Sequence, residues 1–231
     1  MFTLDKVVPW GRSYDEYCRM FALTANDLRK RMLGCGDGPA GFNAVATERG
    51  TSVVSCDPLY AFRAAEIRAR IDETADDVLA QTRHNRDEFV WTDITSIEAL
   101  HRVRMDAMEL FLADYEKGKS QGRYVDAALP HLPFEDSAFD LALCSHFLFL
   151  YSEQLGEQFH DSAALELARV AGEVRIFPLL ALGGSRSRLL AGVTSVLQAA
   201  GYETSVEPVP YEFQRGGNEM LRITAGTRRH T

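Results

Sequence analysis

The stretch Arg31–Asp57, RMLGCGDGPAGFNAVATERGTSVVSCD, decides how this chain is read. A short apolar run, Met32 and Leu33, enters a turn dense in glycine: Gly34, Gly36 and Gly38. Apolar residues at helical spacing follow (Phe42, Val45, Ala46), and Gly50 stops them. A second apolar run, Val53 and Val54, ends in a carboxylate, Asp57. The pattern is strand, glycine turn, helix, strand, acid. Glycines let backbone approach a ligand where a Cβ would collide. An acid closing the second strand is placed to accept hydrogen bonds from ribose hydroxyls. The segment therefore points to a ligand containing adenosine.

Outward from this core, the spacing predicts strands over roughly 29–34 and 52–57, with a helix over 39–49 that has Pro39 in its first turn. Upstream, Ser13 and Glu16 have the spacing of a capping box for a helix through Met20, and Thr24 and Asn26 offer caps for a second short helix. Residues 1–28 are read as an N-terminal helical cap and 29–231 as the ligand-binding domain. Helical periodicity over 64–82 (Ile67, Ile71, Val78) and 97–119 (Leu100, Val103, Met108, Phe111, Leu112) exceeds what a crossover needs, so a helical insertion is expected around 83–120. Further strands are expected over 122–129, 139–145 and 173–179, the middle one apolar enough to be central in a parallel sheet. Helices are expected over 152–170, interrupted at His160-Asp161, and over 185–200. Residues 204–209 and 219–225 form a final hairpin around the loop 211–218. The fold class is α/β: a doubly wound, mostly parallel seven-stranded sheet with a terminal antiparallel strand and helices on both faces. In such sheets ligands bind outside the carboxyl ends of the strands.

Of the 231 residues, 46% are hydrophobic and 25% charged, an ordinary globular balance. The net charge of −8 repels phosphate backbones, so nucleic acid is not expected as a partner. The basic tail Arg228-Arg229-His230 reads as a solvated end. Cys18, Cys35, Cys56 and Cys144 lack zinc spacing and suit free thiols in a reducing cytoplasm. His84, His101, His131 and His160 lack the spacing of a metal cluster. The start MFTLDKVVPW lacks a secretion signal, and the longest apolar run, 141–151, is too short for a membrane span.

Two ligand classes compete. Gly36, Gly38 and Gly41 fit G-x-G-x-x-G, with Asp57 near the expected distance, so a nicotinamide-dependent oxidoreductase stays open. The run LPFEDSAFDLALCSHF (132–147) and then ELARVAGEVRIFPL (166–179) resemble the middle of class I S-adenosylmethionine-dependent methyltransferases. The L-P-F-x-D-x-x-F-D-L pattern is the more specific part, and the terminal hairpin suits that family's last antiparallel strand. The resemblance covers roughly 29–225 and implies S-adenosyl-L-methionine as cofactor. It also implies methyl transfer by in-line displacement; the acceptor is left open, a small molecule first and an accessible group on a protein second. A third reading is a regulatory protein that binds the same cofactor without turnover.

The resemblance also assigns residues. The family's first motif is a carboxylate followed by alternating glycines. Counting back from Asp57 puts two motif glycines at Gly36 and Gly38, the third at Ala40 and the acid at Gly34, which are departures. Asp37 is the candidate substitute for the missing acid. A second register uses Gly34, Gly36 and Gly38 and puts Met32 at the acid. Asp57 matches the ribose-binding acid; its other reading is a strand-end cap for the segment after Pro58. Ala128 stands where relatives carry an adenine-binding Asp, leaving backbone near Leu129 and apolar contact from Leu59 or Leu129. The expected cofactor set is thus Gly34, Cys35, Gly36, Asp37, Gly38, Asp57, Pro58, Leu59, Leu129 and Ser145, with Arg12 for the ligand carboxylate. Arg12 would lie in a lid formed with Trp10, Tyr14 and Tyr17.

Methyl transfer needs positioning and desolvation more than a dyad. After the fourth strand stands Ser145-His146-Phe147, where His146 is either a base, a hydrogen-bond partner for substrate or a structural contact. Phe147, Tyr151, Tyr211 and Arg215 are the substrate candidates, while Phe149 reads as core.

Overall fold

The computed structural model describes residues 9–226; the tail 228–230 and residues 1–8 of the N-terminal stretch lie outside the described residues. Seven strands form one sheet: β1 (Arg31–Cys35), β2 (Ser52–Cys56), β3 (Tyr124–Val125), β4 (Phe139–Ser145), β5 (Ala171–Phe177), β6 (Tyr202–Pro208) and β7 (Glu219–Ala225). Their spatial order is β3-β2-β1-β4-β5-β7-β6. The five strands from β3 to β5 run parallel, and β7 lies antiparallel between β5 and β6. This is the arrangement that the resemblance to class I methyltransferases implies.

The helices are α1 (Tyr14–Met20), α2 (Phe42–Glu48), α3 (Ala64–His84), α4 (Ile97–Ser120), α5 (Ser152–Val170) and α6 (Leu190–Ala199). α1 starts with the expected capping box, in which Ser13 and Glu16 satisfy each other's backbone N–H groups. β4 buries every residue except Asp140. On one face Ala142 and Cys144 pack with α5 and α6; on the other Leu141 and Leu143 pack with α1 and α2 through Tyr17 and Phe42. Between β2 and β3, α3 and α4 pack on each other and on Tyr60 and Tyr124 through Ile67, Ile71, Met108 and Phe111.

Several boundaries differ from the sequence pattern: α6, expected from residue 185, starts at Leu190, and β5 and β6 each begin two residues early. α2 starts at Phe42 rather than Pro39, because Gly38 at φ 54° prolongs the turn before the helix can begin. β3 keeps only two residues, pairing with Ser55 and Cys56 at the sheet edge before the chain bends over the rim. α5 is broken at Gly156 (φ 72°), not at His160-Asp161. His160 instead bridges the break, with Nδ1 at 2.5 Å from the Gly156 carbonyl and Nε2 at 2.7 Å from that of Leu148. None of the described helices is long and apolar enough to cross a membrane.

Candidate functional site

β1 ends in the glycine turn, and the backbone there requires glycine twice: Gly36 has φ 68° and Gly38 φ 54°. A Cβ on Gly36 would also meet Phe147 at 3.0 Å, whereas a Cβ on Gly38 would point into open space. Opposite the turn, Asp57 accepts from the Gly38 N–H at 2.9 Å through Oδ2 and from the Leu59 N–H at 2.8 Å through Oδ1. The carboxylate thus caps the helical turn Pro58–Ala61, the second of its expected roles, and also ties that turn to the glycine loop. Each oxygen uses one of its two lone-pair positions, so acceptor capacity remains. Burial pushes the Asp57 pKa upward against those two N–H donors.

Asp37 points into the sheet. It accepts from the Tyr17 hydroxyl at 2.8 Å and from Ser55 Oγ at 2.7 Å. A Cβ at Gly34 would fall 1.8 Å from Asp37 Oδ2. The Asp37 carboxylate therefore fills the space a side chain at position 34 would enter, and Gly34 is its physical counterpart. Burial, helped by the nearby charge of Asp57, raises the Asp37 pKa to about 6 against the two hydroxyl donors.

At the end of β4, Ser145 is buried and His146 takes φ 50°, a strained conformation for a side-chain-bearing residue. The His146 N–H donates to the Phe177 carbonyl at 2.7 Å, and its Nδ1 lies 3.0 Å from Ser145 Oγ. Burial, together with the charges of Arg12 and Arg104, holds the imidazole pKa well below its ordinary value, so the ring is neutral near pH 7.

Above the rim, α1, α4 and the β6–β7 loop build a buried polar cluster. Glu16 accepts from Arg104 Nη1 at 2.5 Å, from the Tyr211 hydroxyl at 2.8 Å and from the Ser13 N–H at 3.0 Å. Burial alone would raise the Glu16 pKa; Arg104, Arg12 and the hydrogen bonds outweigh it and bring it to about 2. Arg12 donates to the Trp10 carbonyl at 2.5 Å, while burial and repulsion from Arg104 lower its pKa to about 10.

A cavity of about 650 Å³ lies between the rim and α3 and α4. Gly36, Asp37, Gly38 and Asp57 border it, with Pro58, Leu59 and Leu129. Ser145, His146, Phe147, Tyr151, Tyr211 and Arg12 border it too, and Phe147 lies against Gly36. Three expected site residues are not on its wall. Gly34 is covered by Asp37. Cys35 is a strand residue 2% exposed, its thiol pKa raised by its contact with Cys56 and by burial. Arg215 is exposed and pins its loop, donating to the carbonyls of Asp87 and Phe89 at 3.3 Å. Tyr14, expected in the lid, stacks on Phe42 with ring centroids 5.7 Å apart.

Among curated proteins, the uncharacterized protein MJ0045 of Methanocaldococcus jannaschii is 31% identical over 221 residues, 95% of this chain and 97% of its own length. The chain belongs to the MJ0045 family. No family model matches it. Among solved structures, this MJ0045 relative is similar to magnesium protoporphyrin IX methyltransferase ChlM of Synechocystis PCC 6803, solved with bound SAM. That match has a TM-score of 0.48 and 13% identity over 92% of this chain and 78% of the other. It is also similar to the putative methyltransferase solved in complex with the Haloferax volcanii Trm112 activator, with a TM-score of 0.48 and 11% identity over 95% and 92% of the two chains.

Much of the wall in this MJ0045-family chain comes from residues the motif reading passed over. Ile67 and Val78 of α3, Leu100 and Arg104 of α4, and Phe89 and Phe213 close the cavity over the rim. Arg104 carried a signal: it sits in register with Leu100 and Met108, on the apolar stripe of α4. A charge at a core position is the exception that invites a functional reading.

Proposed function

We propose that this chain is an S-adenosylmethionine-dependent methyltransferase acting on a small-molecule acceptor by in-line displacement. The observation that carries this reading is the juxtaposition of Asp57 with the glycine turn at the mouth of a 650 Å³ cavity. A cavity of that size lies within the range of roughly 300–1,000 Å³ that suits ligands this large. The residues present fit the donor: Gly38 faces open space, Asp57 retains acceptor capacity, and Leu59 and Leu129 offer apolar contact. The dinucleotide alternative fits less well, because its usual strand order is fully parallel, whereas here β7 runs antiparallel between β5 and β6.

Bound, the donor supplies a sulfonium methyl group. In our reading Asp57 accepts from the ribose hydroxyls, Arg12 faces the carboxylate of the amino-acid end, and Asp37, buried beside the glycine turn, attracts its ammonium through charge. Phe147, Tyr151 and Tyr211 position the acceptor at the end of β4. Neutral His146 is able to take a proton or accept a hydrogen bond there, and the apolar wall excludes water. Free cysteines at Cys18, Cys35, Cys56 and Cys144 support a reducing, cytoplasmic setting.

The test is calorimetric titration with S-adenosylmethionine, S-adenosylhomocysteine and both redox forms of NAD. The expected result is a Kd on the order of micromolar for the first two and no measurable binding of the dinucleotides. Binding of NAD(H) alone overturns the reading. Donor binding without turnover across a broad acceptor panel supports the regulatory alternative instead.

A pH dependence follows from Asp37. Its folded pKa is about 6, so it is uncharged below that pH and anionic above it. An ammonium beside it is attracted only in the anionic form, so S-adenosylhomocysteine should bind several-fold more tightly at pH 7 than at pH 5. Asp37→Asn should flatten that profile. The same raised pKa works against folding, since stability from this group is full below the ordinary carboxylate range and is lost as pH rises through about 6.

A further inference from the structure

Arg104 is fully buried, and its side chain lines the cavity. Nη1 is taken by Glu16 at 2.5 Å, but among the described residues Nε and Nη2 have no hydrogen-bond partner. Those two nitrogens form one edge of the planar guanidinium, the edge that receives a carboxylate through two parallel hydrogen bonds. This protein uses the same edge that way elsewhere. Arg169 donates from Nε and Nη2 to the Glu166 carboxylate at 2.8 Å each, and Arg31 does so to Asp140 at 3.2 and 2.8 Å. At Arg104 no carboxylate meets that edge among the described residues; the Tyr211 hydroxyl stands beside the guanidinium and donates to Glu16.

A buried N–H left without an acceptor is costly, so an unpaired edge on a residue that borders the cavity calls for one from a ligand. Local charge agrees. Among the described residues, Glu16 offsets one of the two guanidiniums, Arg12 and Arg104, and Arg12 donates to a backbone carbonyl. Leu100, Ile67, Val78, Phe89 and Phe213 add apolar surface to the same cavity. Taking the methyltransferase reading as its basis, we infer that the acceptor is an apolar carboxylic acid whose carboxylate docks on the Nε–Nη2 edge of Arg104. Arg104 is then a positioning residue on the inserted helix α4. It fixes the acid end while the rest of the molecule lies along the apolar wall toward His146.

The experiment measures binding of 4-phenylbutyrate, decanoate and 1-naphthoate, each against its carboxamide, by calorimetry. Titrations run on the full chain, with and without saturating S-adenosylhomocysteine. At least one acid should bind wild type about tenfold or more tightly than its amide, because the amide cannot accept twice on one edge. The double variant Glu16→Gln/Arg104→Met, which removes both buried charges together, should lose that preference. Its affinity for S-adenosylhomocysteine should stay within a few-fold of wild type. Arg104→Lys, which keeps the charge but lacks the edge, should lose the preference too.

Equal binding of every acid and its amide to wild type overturns the inference, and so does a preference that survives both variants. A large loss of S-adenosylhomocysteine affinity in the variants also overturns it, by assigning the edge to the donor's own carboxylate. If the variants do not fold, the wild-type comparison of acid with amide decides alone. If S-adenosylhomocysteine fails to bind wild type, the methyltransferase reading falls, while the titrations without it still decide the carboxylate site.

Discussion

Asp57→Ala should weaken S-adenosylhomocysteine binding by about 100-fold or more. A ribose held by a carboxylate makes two charge-assisted hydrogen bonds, each worth about 1.5–3 kcal/mol, so losing both removes at least roughly 3 kcal/mol. The same substitution frees the N–H groups of Gly38 and Leu59 that Asp57 holds. That loosens the glycine turn against Pro58–Ala61 and adds the loss of a helix cap, about 1 kcal/mol. In a chain of this size, that stability loss lowers Tm by only a few degrees, on the order of 2–4 °C. Binding should therefore fall far more than stability. Asn is not a mild replacement: both Asp57 oxygens already receive an N–H, so an amide group would set donor against donor. Calorimetry and a thermal melt on both variants check this. Affinity within threefold of wild type, with the melt lowered by those few degrees, would show that Asp57 is only a cap.

The contrast between Asp57 and Asp37 shows how far the sequence could be read. Position 57 was legible because a strand end fixes direction: a carboxylate there must leave the sheet at the rim. Asp37 was legible only as a guess, since a turn residue can face either way. Its fate depends on Tyr17, some twenty residues upstream, and on Ser55 in the next strand, and no local pattern joins those three. Gly34 looked like a missing acid; with the side chains in place it is the space that lets Asp37 fold back.

The same logic divides the rest of the chain. Strand β4 matches its expected span residue for residue because central strands are nearly all apolar. α2 and β3 were drawn too long because their ends are set by a left-handed glycine and by a sheet edge, which periodicity does not report. Arg215 looked like a substrate ligand beside two glycines, yet it holds the carbonyls of Asp87 and Phe89, a segment distant in sequence. Arg104 was hidden by the opposite error. Its neighbours read as a packing stripe, so the charge within the stripe went unweighed.

Arg104→Met should destabilise the fold by about 3–5 kcal/mol at neutral pH, the usual loss when one member of a buried ion pair is removed. Glu16 would remain, 6% exposed, with Tyr211 and Ser13 as donors but no bonded cation. The sign of the pH dependence should then change. In wild type the depressed Glu16 pKa, about 2, gives stability that is present above the ordinary carboxylate range and is lost only as pH falls toward 2. In Arg104→Met, burial without Arg104 raises that pKa, so the variant should recover part of its deficit between pH 7 and pH 5. Urea denaturation at both pH values checks this, and adding Glu16→Gln should restore most of the loss at pH 7. A loss below about 1 kcal/mol, or one that deepens in acid, would contradict the pairing. Full recovery in the double variant carries a further consequence: if an apolar side chain and an amide hold α1 to α4 as well as the ion pair does, stability does not explain the arginine. What remains to explain it is the unpaired edge of a residue that borders the cavity.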